Sequence, residues 1–283
     1  MVSGPPPPDV KYVVDRITGF IRSYVNNVGA RGVVIGLSGG LDSSVAATLA
    51  VKALGPRRVV ALIMPEEGVT PREDVEDAVE LSRSLGIEYV IVEIGEVLKG
   101  YARAIEALGG RERVALGNLK ARIRMTLLYY YANRHGMLVC GTTDKSELLL
   151  GYYTKYGDGG VDIEPIADLY KTQVRYLARS LGLPRRIVEK PSSPRLWQGH
   201  LAEEELGLSY EVIDAVLYRY VDLGMGPEEI VRETGIDKRV VEEILRRVHA
   251  NEHKRMFPPV PRVSKWAIPH DWRMPLLLNA SGT

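Results

Sequence analysis

Residues Val33–Leu54, VVIGLSGGLDSSVAATLAVKAL, constrain this chain more than any other stretch. Val33, Val34, Ile35 and Leu37 form the apolar run of a buried strand. Val45, Leu49, Lys52 and Ala53 mark a following helix, with Asp42, Ser43 and Ser44 at its N-terminus. Between the two lies Ser38-Gly39-Gly40-Leu41-Asp42-Ser43. Paired glycines let backbone approach a ligand closely and allow positive φ. Free N–H groups and the positive end of a helix dipole then converge on one place, which suits a phosphate. The loop carries no lysine, so it is not the Walker pattern that retains a nucleoside triphosphate. An ordinary Gly-containing turn would account for Ser-Gly-Gly alone. The full S-G-G-x-D-S between strand and helix is far more specific.

Length and composition narrow the classes. With 283 residues, 45% hydrophobic and 26% charged, the chain suits one large α/β domain with at most an appendage. A net charge of +1 and a pI near 7.8 lack the basic excess of a nucleic-acid surface. One cysteine excludes a disulfide scaffold and favours an intracellular, cytoplasmic setting. No apolar run reaches the length of a membrane span. The start, MVSGPPPPDV, is not a signal peptide and reads as an extended arm. Many charges beside few Asn and Gln hint at a thermophilic source.

The chain in order predicts a helix over Lys11–Asn27, then the loop unit, then a buried strand at Val59–Met64. A helix over Arg72–Leu85, stopped by Gly86, leads to a third strand at Glu88–Ile94. Such a βαβαβ run argues a doubly wound parallel sheet, here of about five strands. Val97–Leu108 reads as helix, Gly109–Leu116 as a polar, mobile loop, and Asn118–Arg134 as a long helix apolar nearly all round. Such a helix is buried deep or forms a subunit contact. A fourth strand, Met137–Gly141, is followed by a loop holding Asp144 and Glu147. Polar Gly151–Asp162 follows as a functional loop, with a short fifth strand at Ile163–Ile166 and a helix over Tyr170–Leu181. Lys190–Gln198 reads as irregular, before helices at Tyr210–Leu223, Pro227–Glu233 and Lys238–Asn251. The last two superficially resemble a helix-turn-helix, but their balanced charge argues against DNA. One domain is expected over residues 1–283: an arm at 1–10, an α/β core at 11–190, a helical part at 191–257 and a Pro-rich tail at 258–283. Trp266, Trp272 and Leu276–Leu278 of that tail are expected to pack on the body or a partner.

Ser38–Ser43 resembles the pyrophosphate-binding loop of the N-type ATP pyrophosphatases, which leave AMP on an acceptor; the loop alone does not choose among them. Further segments resemble the NAD synthetase family over most of residues 10–255. These are Ala121-Arg122-Ile123-Arg124-Met125, Gly141-Thr142 with Asp144 and Ser146-Glu147, and Gly151-Tyr152 with Thr154 through Gly160 and Asp162. Lys171-Thr172-Gln173, Pro191–Ser193 and His253-Lys254-Arg255 complete the set. The resemblance implies an adenine nucleotide alpha hydrolase-like fold and ATP-dependent amidation of deamido-NAD (nicotinic acid adenine dinucleotide) with ammonia. The pyridine carboxylate attacks the α phosphorus, pyrophosphate leaves, and ammonia displaces AMP from the acyl adenylate.

On that resemblance, Gly36, Leu37, Ser38, Gly39, Gly40, Leu41, Asp42 and Ser43 bind ATP, with Thr142, Lys171 and Ser193. Arg122, Lys155, Asp162, His253 and Lys254 bind deamido-NAD. Asp42 and Glu147 offer the hard oxygen ligands Mg2+ prefers. No nucleophile is assigned, and the general base for ammonium is left open. Cys140, at the end of an apolar strand, reads as a buried hydrophobe rather than a glutaminase nucleophile. Ammonia is therefore the expected nitrogen source, with a separate glutaminase left open. The resemblance also implies a homodimer. The rivals are a GMP-forming relative and a non-catalytic ATP sensor; a tRNA thiolase is disfavoured by the lone cysteine. Gly109–Leu116, Gly151–Gly160 and Ser192–Gly207 are the segments expected to move.

Overall fold

The computed structural model describes residues 3–110 and 112–267. Four parallel strands, β1 (Val33–Gly36), β2 (Val59–Ile63), β3 (Glu88–Ile91) and β4 (Leu138–Cys140), form one sheet in the order β3-β2-β1-β4. The central strands are continuous hydrophobic runs because both faces of the sheet are covered. On one face lie α1 (Val10–Asn27), α2 (Leu41–Leu54) and α3 (Arg72–Leu85), sharing a core with Val33 and Ile35. Four alanines, at 46, 47, 50 and 53, let α2 sit buried between its neighbours. On the other face, Ile123, Leu128 and Ala132 of the long helix Arg113–His135 cover Val34, Leu62 and Val139. Its outer face exposes Tyr130. A third core joins Leu150 and Tyr170 to the helices after residue 200.

Strand order reverses between β1 and β4, and their carboxyl ends therefore flank a crevice. The expected fifth strand is reduced to one parallel bridge between Cys140 and Ile163. The chain turns away there because the Asp162 carboxylate takes the Val139 N–H at 2.7 Å, where a continuing ladder would use backbone.

Other elements differ at their edges. The Val97–Leu108 stretch forms two short helices, Gly95–Gly100 and Ala102–Ala107, meeting at Tyr101. The long helix starts at Arg113, inside the expected loop, because the Glu112 carboxylate caps it through the N–H groups of Val114 and Ala115. The expected loop over Asp144–Glu147 is a helix, Lys145–Leu150, opened by a capping box between those two acids. The helix from Tyr210 is regular to Leu217 and then widens into a π turn, Tyr218–Asp222. The Pro-rich arm is docked: Gln173 donates to the Pro6 carbonyl, and buried Arg219 donates to the Ser3 carbonyl and hydroxyl. Trp266 is exposed rather than packed, while Trp272 and Leu276–Leu278 lie outside the described residues.

Candidate active site

The loop after β1 is held open by side chains behind it. Gly39 has φ +74°, and a Cβ there would overlap the Asp74 carbonyl oxygen, so this position demands glycine twice over. Lys190 donates to the Gly39 carbonyl at 2.9 Å, while pairing with Asp74 and Asp77. Ser38 and Ser43 join their hydroxyls across the loop at 3.0 Å, and Ser44 donates to the Gly40 carbonyl. With Gly40 in extended conformation as N-cap of α2, the early N–H groups of that helix are left for an anion. Leu37 and Leu41 are buried beneath it and anchor the turn.

Asp42 of α2, Asp144 and Glu147 bring their carboxylates together, with one oxygen from each within 4.8 Å of the others. The Lys171 ammonium lies among them, 2.8 Å from Asp42, 2.7 Å from Asp144 and 2.8 Å from Glu147. Burial works against its charge, but the three carboxylates outweigh that and hold its pKa well above the ordinary lysine range. Burial also pushes the Asp144 and Glu147 carboxyls up, against the pull of Lys171. Three carboxylates around one ammonium leave uncancelled negative charge. The Asp42 Oδ1 is buried with no hydrogen-bond partner among the described residues. Hard oxygen donors, surplus charge and an unused buried lone pair fit a divalent cation such as Mg2+.

Asp214 fixes this cluster from below. It accepts from the Ser146 hydroxyl at 2.5 Å and from the Thr172 N–H and hydroxyl at 2.9 and 2.7 Å. It thereby ties together the two helices that present Glu147 and Lys171. Asp144 was legible only as part of a motif; its place in the cluster follows from its double use as helix cap and as carboxylate facing Lys171. The Asp-x-x-Glu capping pattern was the signal available for it.

The remaining expected residues fall into two places. A cleft of about 420 Å³ is lined by the β1 loop, Thr142, Glu147, Ser193 and Lys254. Ser193 donates its hydroxyl to the His200 carbonyl and receives the Arg195 N–H, so that hydroxyl is held by its own segment. Arg122, Lys155 and His253 form a chain at the outer side: Arg122 donates to the Lys155 carbonyl at 3.2 Å, and Lys155 to the His253 carbonyl at 2.6 Å. Lys254 donates to the carbonyls of Gly151 and Tyr153, clasping the Gly-rich loop. Asp162 is occupied by the Val139 N–H and the Tyr129 hydroxyl. Lys171 faces the carboxylates rather than standing free for a phosphate. Cys140 is buried, and burial raises its thiol pKa, which leaves it unreactive.

Two residues lining the cleft had been assigned no role. Arg124 anchors its Nε on the Met64 carbonyl at 3.0 Å beside the β1 loop. His200 is buried against Trp197.

Comparison with known proteins identifies the family. The sequence model of the family described as NAD synthase matches residues 13–258. An NH(3)-dependent NAD(+) synthetase of Hyperthermus butylicus is 52% identical over 254 residues, covering 89% of this chain and 91% of that protein. A solved NMN synthetase of Francisella tularensis superposes with a TM-score of 0.79 at 34% identity, over 90% of this chain and 99% of its own. A solved NH3-dependent NAD synthetase of Campylobacter jejuni gives a TM-score of 0.76 at 34% identity, over 90% of this chain and 100% of its own. With the family model spanning most of the chain and relatives at about half identity over nearly their whole length, the chain belongs to the NAD synthase family.

Proposed function

We propose that this protein amidates deamido-NAD to NAD, consuming ATP and ammonia and releasing pyrophosphate and AMP. The observation that carries the reading is one crevice lined both by a phosphate-suited loop and by a carboxylate cluster fit for Mg2+. The extent of the match to NH(3)-dependent NAD(+) synthetases supports the choice of substrate.

A ring carboxylate is a poor acyl donor, because oxide is a poor leaving group. Its oxygen attacks the α phosphorus, and pyrophosphate departs into the loop Gly36–Ser43, whose N–H groups and hydroxyls stabilise charge where it develops. Thr142 adds a hydroxyl contact to ATP, while Lys171 holds together the carboxylates beside the phosphate loop. Arg122, Lys155, Lys254 and His253 hold deamido-NAD, the cations facing its pyrophosphate or carboxylate, while Asp162 braces Val139 and Tyr129 beside them. Asp42 and Glu147, joined by Asp144, would hold Mg2+, which supplies charge neutralisation for the phosphates. Ammonia then forms the amide and AMP leaves. Catalysis comes mostly from positioning and electrostatics.

The buried state of Cys140 supports free ammonia over glutamine as nitrogen source. The exposed outer face of the long helix, with Tyr130, is offered as part of a homodimer contact, which sedimentation tests. No helix among the described residues is long and apolar enough to cross a membrane.

The deciding experiment supplies ATP and ammonium with deamido-NAD, nicotinic acid mononucleotide or xanthosine monophosphate. NAD, AMP and pyrophosphate in equal amounts with deamido-NAD is the expected result. Turnover confined to either other acceptor overturns the substrate, and ATP binding without any turnover favours the sensor reading. Glu147→Ala should lose Mg2+-dependent activity; full activity would remove it from the metal set.

A further inference from the structure

The segment after Ser193 carries a group that the reaction above has not used. His200 is 3% exposed and lines the cleft. Its ring stacks on Trp197, with centroids 3.5 Å apart and planes 11° from parallel. Arg113 covers Trp197 at 4.9 Å from the ring centroid. The Glu205 carboxylate fixes the imidazole in its plane, 2.7 Å from Nε2. Tyr152 donates to the same carboxylate oxygen at 2.6 Å and lies 3.3 Å from Nε2.

This arrangement sets the tautomer. A carboxylate only accepts, so Nε2 carries the proton and Nδ1 presents its lone pair. Nδ1 is buried and has no hydrogen-bond partner among the described residues. A buried polar atom without a partner costs about 1–3 kcal/mol. A donor arriving in the cleft recovers that cost. A carboxylate orienting one imidazole nitrogen while the other is left unpartnered, on a ring that lines the cleft, is the logic of an oriented general base.

We propose that His200 Nδ1 accepts the proton released when ammonia becomes the amide nitrogen. The assignment rests on the amidation reaction proposed above. The nitrogen lone pair forms the C–N bond at the acyl carbon, and the carbonyl electron pair moves onto oxygen. That pair returns, the bond from carbon to the phosphate oxygen breaks, and AMP departs with those electrons. One proton passes from nitrogen to Nδ1, giving an imidazolium whose Nε2–H is held by Glu205. The proton then leaves to solvent, restoring the neutral ring.

The charged groups around the ring suit this role. Burial lowers the His200 pKa below its ordinary value, with Arg113 and Arg195 adding to that and Glu205 opposing it, so the ring is neutral and ready near pH 7. Burial opposes the Glu205 charge, but hydrogen bonds from Tyr152 and His200 hold its pKa below the ordinary range. Glu205 is therefore ionised when the imidazolium forms.

The test separates the half-reactions by single-turnover quench of the full chain with ATP and deamido-NAD, reading pyrophosphate for adenylation and NAD for amidation. His200→Gln should release pyrophosphate at close to the wild-type rate and form NAD about 10²–10⁴-fold more slowly. Hydroxylamine, a less basic nitrogen nucleophile, should recover much of that loss as the hydroxamate. Amidation at the wild-type rate, or both half-reactions slowed by the same factor, overturns the assignment. Should His200→Gln not fold, Glu205→Gln carries the test: amidation slows, and the acidic limb of its rate profile, at fixed free ammonia, moves to lower pH. An unmoved limb overturns the assignment. A wild-type chain that releases no pyrophosphate with deamido-NAD instead sinks the amidation reading itself.

Discussion

Two charged clusters flank the same crevice, and they are built in opposite ways. Around Lys171 every charge meets an opposite charge within 2.8 Å, and the ammonium is fully buried. Around Arg122, Lys155 and Lys254 the cations donate to backbone carbonyls and make no ion pair among the described residues. A carbonyl orients a cation without cancelling it. The first cluster is thus locked before any ligand arrives and carries surplus negative charge, fit for a cation. The second keeps its positive charge available on the exposed side, fit for an anionic substrate. Locking and availability predict different responses to substitution.

Lys171→Met should have the largest effect. It leaves Asp42, Asp144 and Glu147 facing one another without their buried counter-charge. Breaking such a cluster costs about 3–5 kcal/mol. For a chain of this size that lowers Tm by about 10 °C, and activity should vanish with it. Differential scanning with and without Mg2+ sharpens the point. If the carboxylates are a cation site, Mg2+ should raise the variant's Tm more than the wild type's, because it replaces the missing charge as well as binding. A variant as stable as wild type, blind to Mg2+, would break the picture of a locked cluster.

Lys155→Ala should act on binding alone. Losing one charge-assisted contact of about 1.5–3 kcal/mol should raise KM for deamido-NAD about tenfold or more, with kcat and KM for ATP little changed. Tm should change little, since half-buried Lys155 makes one tether to the His253 carbonyl and no ion pair among the described residues. A rise in KM for ATP instead would move the outer cluster to the other substrate, and a fall in Tm would make it structural.

The two clusters also differ in how far the sequence disclosed them. The β1 loop was readable locally, because strand, glycines and helix follow one another within a single stretch. The pairing of Asp42 with Glu147 needed strand order, which only the family resemblance supplied. The contact between Lys171 and Asp42 joins residues 129 positions apart, and no local pattern announces it. The helix Lys145–Leu150 was missed because its residues were read as ligands first; the capping box was present but unread. His200 gave no signal at all. It sits in an irregular segment, and only the stack on Trp197 and the reach of Glu205 make it buried and oriented. Long-range burial, rather than periodicity, decided each of these cases.

The smallest expected effect probes how far the locked, acidic side extends beyond Lys171. Glu164 accepts the Thr143 N–H at 3.1 Å, and a Cβ at Gly141 would collide with its carboxyl group. Burial pushes its pKa up from 4.5 to about 8. Below pH 4.5 the group is protonated whether the chain is folded or not. Between there and pH 8 the unfolded chain gives up that proton while the folded one keeps it. The folded state then binds more protons, so stability falls as pH rises through this window and levels off above it. Glu164→Gln keeps the shape and the acceptor oxygen but has nothing to ionise. Its Tm should match wild type near pH 4.5 and exceed it by a few degrees at pH 8, with kcat unchanged. Parallel Tm curves for the two proteins across that range would show that Glu164 is solvated in solution. An ionised Glu164 would then add its charge to the three carboxylates around Lys171, and the acidic side of the crevice would reach past Asp144.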